Sequence, residues 1–384
     1  MERADVLIVG GGPAGSSCAR ALVAEGREVL VLDARPFPRD KPCAGWITPQ
    51  VVARAGLPLD EYAAAHTLQP ISQFRVGRIG GRAVNVDYGT PVSYGIRRCE
   101  FDAWLLRRSG AGTRLGERVV DVRQEGNEFS VNGRFAAPVL VGAAGHFCPV
   151  ARLLNGSPPG DTTVVAREVE FPLEGDALAA CRVEPERPEL YFSSDLRGYG
   201  WCVRKGSHLN VGLGRRDARA LPQHVASFVD WLVRERRIAA PPEAGWRGHA
   251  YLLREGRPRR VAGDGVLLAG DAAGLAFAAS GEGILPAVLS GQLAAEAILE
   301  ARGAADASRR YAERLADELG PSAPPRPVPG PLAAAAGAAL LSSAWFARHV
   351  VLDRWFLHRA SGGPRGGGMP PRLESRSVGP AYPP

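Results

Sequence analysis

DVLIVGGGPAG, residues Asp5 to Gly15, is the stretch on which the reading of this chain turns. A short unbroken apolar run is the mark of a parallel strand buried on both faces. It leads straight into Gly10, Gly12 and Gly15, spaced as G-x-G-x-x-G, with Pro13 and Ala14 opening the helix that follows. Glycines at that spacing permit a tight turn, the close approach of a pyrophosphate and close helix–strand packing, while the helix N-terminus faces the anion. The next apolar run, REVLVLD, ends at Asp33, where an acid is placed to hold a ribose hydroxyl. Residues 5–33 therefore read as strand, turn, helix, strand and as a dinucleotide site. A purely structural glycine turn is the alternative.

Outward from this unit, FRVGRIGGRAVNVD suggests a hairpin around Gly80-Gly81, and YGIRRCEFDAWLLRRSG turns into a helix with Phe101, Trp104 and Leu105 on one side. APVLVGAAG from Ala137 is another buried strand ending in a glycine turn. Residues 161–251 read mainly as short strands, with one helix over His224 to Arg236. GVLLAGDAAG returns to the buried-strand type and precedes a long helix from Ile284 to about Arg302. A proline-rich break at 320–331 separates a last helical region, and the tail beyond Ser361 reads as disordered.

The fold class expected is α/β: a Rossmann-type dinucleotide domain with an inserted β-rich substrate domain and a C-terminal helical region. Its expected boundaries are 1–72, 95–160 and 255–320 for the first, 73–94 and 161–254 for the second, 332–360 for the helical region and 361–384 for the tail.

Composition narrows the partners. The formal charge is +7, yet Lys41 and Lys205 are the only lysines among 47 basic residues, so the basicity is an arginine bias, and no basic run with interleaved aromatics marks a nucleic-acid groove. The six cysteines show no metal-ligand spacing, and the chain opens on a strand pattern without a signal peptide. A cytoplasmic protein with reduced thiols is expected. The apolar stretch Leu332 to Phe346 is short for a membrane span and leaves open a peripheral membrane contact.

A second motif selects the nucleotide. VLLAGDAAGLAFAASGEGI sets Gly270-Asp271 after a buried strand, where a carboxylate can accept from ribityl hydroxyls. Gly281, Gly283 and Ile284 then start a helix whose positive end suits the pyrimidine edge of an isoalloxazine. An ordinary strand-to-helix cap is the alternative; paired with the first unit, the segment points to FAD.

These segments resemble flavoproteins built like para-hydroxybenzoate hydroxylase, which share a GGGPAG start, an R-x-x-F-D segment, here Arg98 to Asp102, and a late GD. The resemblance covers roughly residues 5–300 and implies that Arg98 lies near the FAD phosphates or ribityl chain. A narrower resemblance is to the geranylgeranyl reductases: KPCAGWITP is similar to their K-x-C-G-G-G segment, matching at Lys41, Cys43 and Gly45. GYGWCVRKG is similar to Y-x-W-x-F-P-K-G, matching at Tyr199, Trp201, Lys205 and Gly206. Ala44, Trp46, Val203 and Arg204 depart from the pattern. Ala144-Gly145 stands where the hydroxylases carry Asp-Gly, which leaves the reductant open between NAD(P)H and a protein electron donor.

The expected site follows. Lys41, Cys43 and Ala44 lie beside the flavin; Cys43 is a candidate proton donor or gate, and Tyr199 and Trp201, two apart on a strand, share one face of an apolar cavity. His146, His208 and His249 have no partner at a recognisable spacing and are expected to be structural. The resemblance implies an FAD-dependent oxidoreductase that reduces C=C bonds of a lipophilic, isoprenoid-like substrate by hydride transfer from reduced flavin. The rivals are an FAD-dependent monooxygenase or hydroxylase on the same fold, and a flavoprotein accessory or maturation factor.

Overall fold

The computed structural model describes residues 1–156, 163–243, 245–256, 259–324 and 330–359; the tail expected at 361–384 lies outside them. Among the described residues, twenty strands, numbered in chain order, form four sheets. The six-stranded sheet runs β19 (Ala262–Gly263), β20 (Val266–Leu268), β13 (Val139–Gly142), β2 (Val6–Val9), β3 (Val29–Asp33) and β9 (Gly112–Leu115), all parallel except β19. Its central strands are buried along their whole length. That is why they read as continuous apolar runs and not as alternating ones.

The seven-stranded sheet is ordered β18 (Arg247–Leu252), β14 (Thr163–Pro172), β17 (His208–Arg215), β16 (Gly198–Lys205), β15 (Glu189–Phe192), β6 (Gln73–Arg78) and β7 (Ala83–Asp87). The hairpin expected at Gly80-Gly81 is the β6–β7 connection. Two small sheets complete the set: β4 (Trp46–Ile47), β8 (Ser93–Ile96) and β5 (Leu68–Ile71), and β1 (Glu2–Arg3), β12 (Phe135–Ala137), β11 (Glu128–Val131) and β10 (Val122–Glu125).

Strand alternation gives the seven-stranded sheet two different faces. Tyr191, Cys202, Leu209, Val211 and Leu213 pack under the Leu221–Arg234 helix through Val225, Phe228, Val229 and Leu232. This helix begins and ends slightly earlier than its sequence suggested. On the other face, register sets Trp201 of β16 beside Gly212 of β17, with Glu168 of β14 next. That face holds the Cys43 loop through Asn210 and packs against the C-terminal segment through Tyr199 and Phe356.

Near the C-terminus, a Pro331–Leu341 helix bends by 86° into Ala344–Phe346, which continues as a π-helical stretch, Ala347–Phe356. Among the described residues no single helix is long and apolar enough to cross a membrane.

Candidate active site

At the end of β2 the chain turns on Gly10, which has φ +111°, and a Cβ there would lie 2.5 Å from the Ala143 carbonyl carbon. Gly15 packs so closely that its Cβ would fall 1.9 Å from the Gly10 carbonyl oxygen. Gly12 differs, because a Cβ would meet just the Arg39 guanidinium, at 3.5 Å. The Pro13–Ala24 helix starts there without a side-chain cap, so its first backbone donors face an open space bounded by a cation. Asp33 ends β3 with Oδ2 accepting from the Gly11 N–H at 2.8 Å and Oδ1 from the Arg35 N–H at 3.0 Å. Arg39 stacks on Phe37 and stands 3.6 Å from Asp33 and 3.3 Å from Asp102.

The two nucleotide motifs pack directly on each other. Gly270, at φ +61°, has the Ala14 and Ala287 side chains 3.2 Å from where its Cβ would be, and its N–H donates to Ser290 Oγ at 2.9 Å. Beside it, Asp271 accepts from Lys41 Nζ at 3.3 Å and contacts His249 Nε2 at 3.2 Å; Lys41 and His249 are themselves 3.2 Å apart. Burial raises the Asp271 pKa, but Lys41 and then His249 outweigh it and hold the carboxyl well below the usual range. Burial, reinforced by Lys41, lowers His249. Gly283 leaves room for this carboxylate, since a Cβ there would come within 3.2 Å of Oδ1. Gly281, at φ +74°, gives way likewise to the Tyr251 hydroxyl.

The loop carrying Cys43 is gripped from the seven-stranded sheet. Lys205, whose side chain is 1 % exposed, donates to the Ala44 and Ile96 carbonyls at 3.1 Å each and pairs with Glu170. Asn210 donates to the Cys43 carbonyl at 3.1 Å and to Glu168, and its Oδ1 accepts from the Trp201 indole at 2.7 Å. Gly45 and Gly95 make room for the lysine: a Cβ on Gly45 would sit 2.6 Å from Nζ, and one on Gly95 2.9 Å from Cγ. Burial lifts Glu168 to about 7, against the opposing pull of Asn210 and Lys205. Cys43 Sγ accepts from the Gly45 N–H at 3.4 Å and lies beside the buried Arg98. Asp102 holds Arg98 through two bonds of 2.8 and 2.9 Å. Burial disfavours that guanidinium charge, but Asp102 and Cys43 more than restore it, and the pKa stands above the ordinary arginine value.

Past this polar end the face is aromatic. Tyr199 donates to the Ser280 carbonyl at 2.5 Å, and its ring lies 6.0 Å from Trp201 and 5.5 Å from Phe356. Trp46 stacks on Phe356 at 5.3 Å and tilts against Phe74 at 5.1 Å. The C-terminal segment therefore roofs the aromatic face. His358 reaches Glu282 at 3.5 Å, and Gln50 donates to the Leu357 carbonyl at 3.2 Å.

Comparison with known proteins bears on this arrangement. A family model described as FAD dependent oxidoreductase matches residues 5–79. The menaquinone reductase of Mycobacterium tuberculosis is 32 % identical over 343 residues, covering 83 % of this chain and 81 % of the relative. The chloroplastic geranylgeranyl diphosphate reductase of rice, Oryza sativa subsp. japonica, is 30 % identical, covering 81 % of this chain and 69 % of the relative. The chain belongs to the geranylgeranyl reductase family of FAD-dependent oxidoreductases. The fold agrees: a geranylgeranyl bacteriochlorophyll reductase-like protein from Thermoplasma acidophilum superposes with a TM-score of 0.69 at 21 % identity, over 89 % of this chain and 88 % of that one.

FAD is the cofactor of this geranylgeranyl reductase-family protein, and the residues present suit it. The open cradle at Gly12, a shape that any Cβ would fill, fits a pyrophosphate, with Arg39 as countercharge. The reading from sequence overlooked Arg39 and also His249, which it set aside as structural and which the fold brings to Asp271 and Lys41. Chain spacing carries no trace of that meeting, because His249 and Asp271 lie on separate elements. At the Ile284–Glu300 helix start, Glu282 Oε1 already accepts from the Leu285 N–H at 2.7 Å. Part of the positive end expected to face the flavin is thus taken by a carboxylate.

Proposed function

We propose that the protein reduces C=C bonds of a lipophilic, isoprenoid-like substrate, using FAD held between a discontinuous nucleotide domain (1–72, 95–160 and 255–320) and a β-rich substrate domain (73–94 and 161–254). The observation that carries this reading is the joint between the Cys43 loop and the seven-stranded sheet, where a polar cluster gives way directly to the aromatic face of Tyr199, Trp201, Trp46 and Phe74. An apolar chain laid on that face would present one bond to the polar end. The names of the relatives support it, since both are reductases of isoprenoid-bearing compounds.

In this reading Gly10, Gly12, Pro13, Ala14 and Gly15 cradle the pyrophosphate and Asp33 the adenosine ribose. Gly270 and Asp271, oriented by Lys41 and His249, take the ribityl chain, and Arg98, Lys41, Cys43, Ala44, Gly281, Gly283 and Ile284 border the ring. FAD bound there would supply hydride-transfer chemistry toward one carbon of the alkene. The chain must then deliver a proton to the other carbon. Cys43, beside the Arg98 guanidinium, is the group we place there. Trp201 has its N–H committed to Asn210 and acts as an apolar wall, and Tyr199, tied to the Ser280 carbonyl, does the same. The reductant is NAD(P)H or a protein electron donor. A water-insoluble substrate also makes peripheral membrane contact part of the reading.

The test is anaerobic. Protein photoreduced in the absence of oxygen is mixed with an isoprenoid alkene, and flavin reoxidation at the rate of saturated-product formation is expected, slowed in Cys43→Ser. Inertness toward alkenes combined with oxygen-dependent product hydroxylation would overturn the proposal in favour of a monooxygenase.

A further inference from the structure

The Pro331–Leu341 helix exposes an apolar face. Leu332 is 88 % exposed, Leu340 49 %, and Trp345, just past the bend, 65 %. Between them Ala333, Ala335, Ala336 and Ala339 also face outward, while Leu341 is buried and Gly337 seats against Leu196. From residue 331 to 347 the sequence carries no charged side chain, and from 319 to 352 no acid. Exposed apolar surface of this kind is a site of contact. The helix is about 16 Å long, half a bilayer core, so it is built to lie on a membrane and not to cross one.

The charges beside it select the lipid. The helix packs on β6, whose hairpin tip with β7 carries Arg78 and Arg82. Arg82 is exposed and Arg78 half-buried at this tip. Arg348 follows Trp345 by less than one turn and covers the Tyr88 ring at 4.6 Å. The acid that comes next in the chain, Asp353, accepts from the Tyr88 hydroxyl at 2.8 Å and lies on the inward side.

We propose that this helix and Trp345 dock the enzyme on an anionic lipid surface, with Arg78 and Arg82 meeting the headgroups. The C-terminal roof over the aromatic face continues directly from the docking helix, so docking sets that roof against the bilayer from which a lipid substrate is drawn. The second part rests on the proposed function; the docking itself does not.

The FAD-loaded protein is sedimented with phosphatidylcholine vesicles, with and without phosphatidylglycerol. Co-sedimentation with the anionic vesicles is expected, weakened at least tenfold by Leu332→Glu with Leu340→Glu and about fivefold by each of Arg78→Gln and Arg82→Gln. Trp345 emission, taken as the difference between wild type and Trp345→Phe, shifts to shorter wavelength. Protein left in the supernatant with both vesicles, or a double glutamate variant that sediments like wild type, overturns the proposal. A dimer dissolved by the glutamates, without vesicle binding, would assign the face to a second copy instead. Vesicle binding is scored without turnover, so failed alkene reduction with intact docking refutes the function alone.

Discussion

Lys205→Met removes the ammonium that ties the substrate sheet to the Cys43 loop while keeping an apolar stem of similar length. In the wild type that ammonium is shared by the Ala44 carbonyl, the Ile96 carbonyl and Glu170. Breaking a buried ion pair from one side costs about 3–5 kcal/mol. Glu170 keeps Arg97 at 3.2 Å, which places the cost at the lower end, about 3 kcal/mol. An unfolding entropy of about 2.1 cal/mol/K per residue over 384 residues gives about 0.8 kcal/mol/K, so the melting midpoint should drop by about 4 °C.

The loss should also depend on pH. Burial raises Glu170, but Lys205 and then Arg97 bring its pKa below the ordinary glutamate value. A carboxyl lowered in the folded state contributes stability that is present above its unfolded pKa and is lost as pH falls through the folded one. The deficit of the variant should therefore be largest near neutrality and shrink on acidification. Melts of FAD-loaded protein at neutral and mildly acidic pH read both effects. Labelling by a thiol reagent, corrected with Cys43→Ser, should quicken about tenfold if the loop is loosened by about 1.4 kcal/mol. A variant melting within about 1 °C of wild type, with Cys43 labelled at the same rate, would refute the clamp.

Gly12→Val fills the pyrophosphate cradle, and the purified variant should be folded by circular dichroism yet lack flavin absorbance; full FAD occupancy would count against the cradle. Glu168, raised to about 7 by burial, takes up a proton on folding, so its contribution to stability falls as pH rises from the ordinary carboxyl range through about 7, by up to about 3 kcal/mol. Glu168→Gln should flatten that slope in denaturation curves measured across the range, and parallel curves would argue against it. Trp46→Gly removes a ring packed between Phe74 and Phe356. It should cost about 3 kcal/mol and lower KM for longer or bulkier alkenes relative to short ones, which a chain-length series would check.

Several parts of this molecule are legible in its sequence. Gly10, Gly12 and Gly15 announce a turn because their constraint is local: a φ of +111° and a Cβ-free approach are demands met within a few residues. The same holds for the fully apolar strands of the six-stranded sheet and for the GD turn at Gly270-Asp271. The lysine-bearing segments were visible as matching motifs, yet nothing in their spacing said that they lock into each other. Lys205 reaches a carbonyl 161 residues away, Lys41 a carboxylate 230 away, and Gln50 a carbonyl 307 away. His249 looked idle for the same reason, and Arg39 became part of the cradle only once Asp33 and Asp102 were brought to its two sides. Sequence by itself determined the nucleotide unit, because backbone conformation and burial period are written in neighbouring residues, and through the resemblance of its motifs it pointed to the family and the cofactor. Tertiary structure alone decided which charges meet around the Cys43 loop and which helix stays uncovered. Those are settled by contacts between strands of different sheets, whose partners are chosen by sheet register and packing and not by distance along the chain.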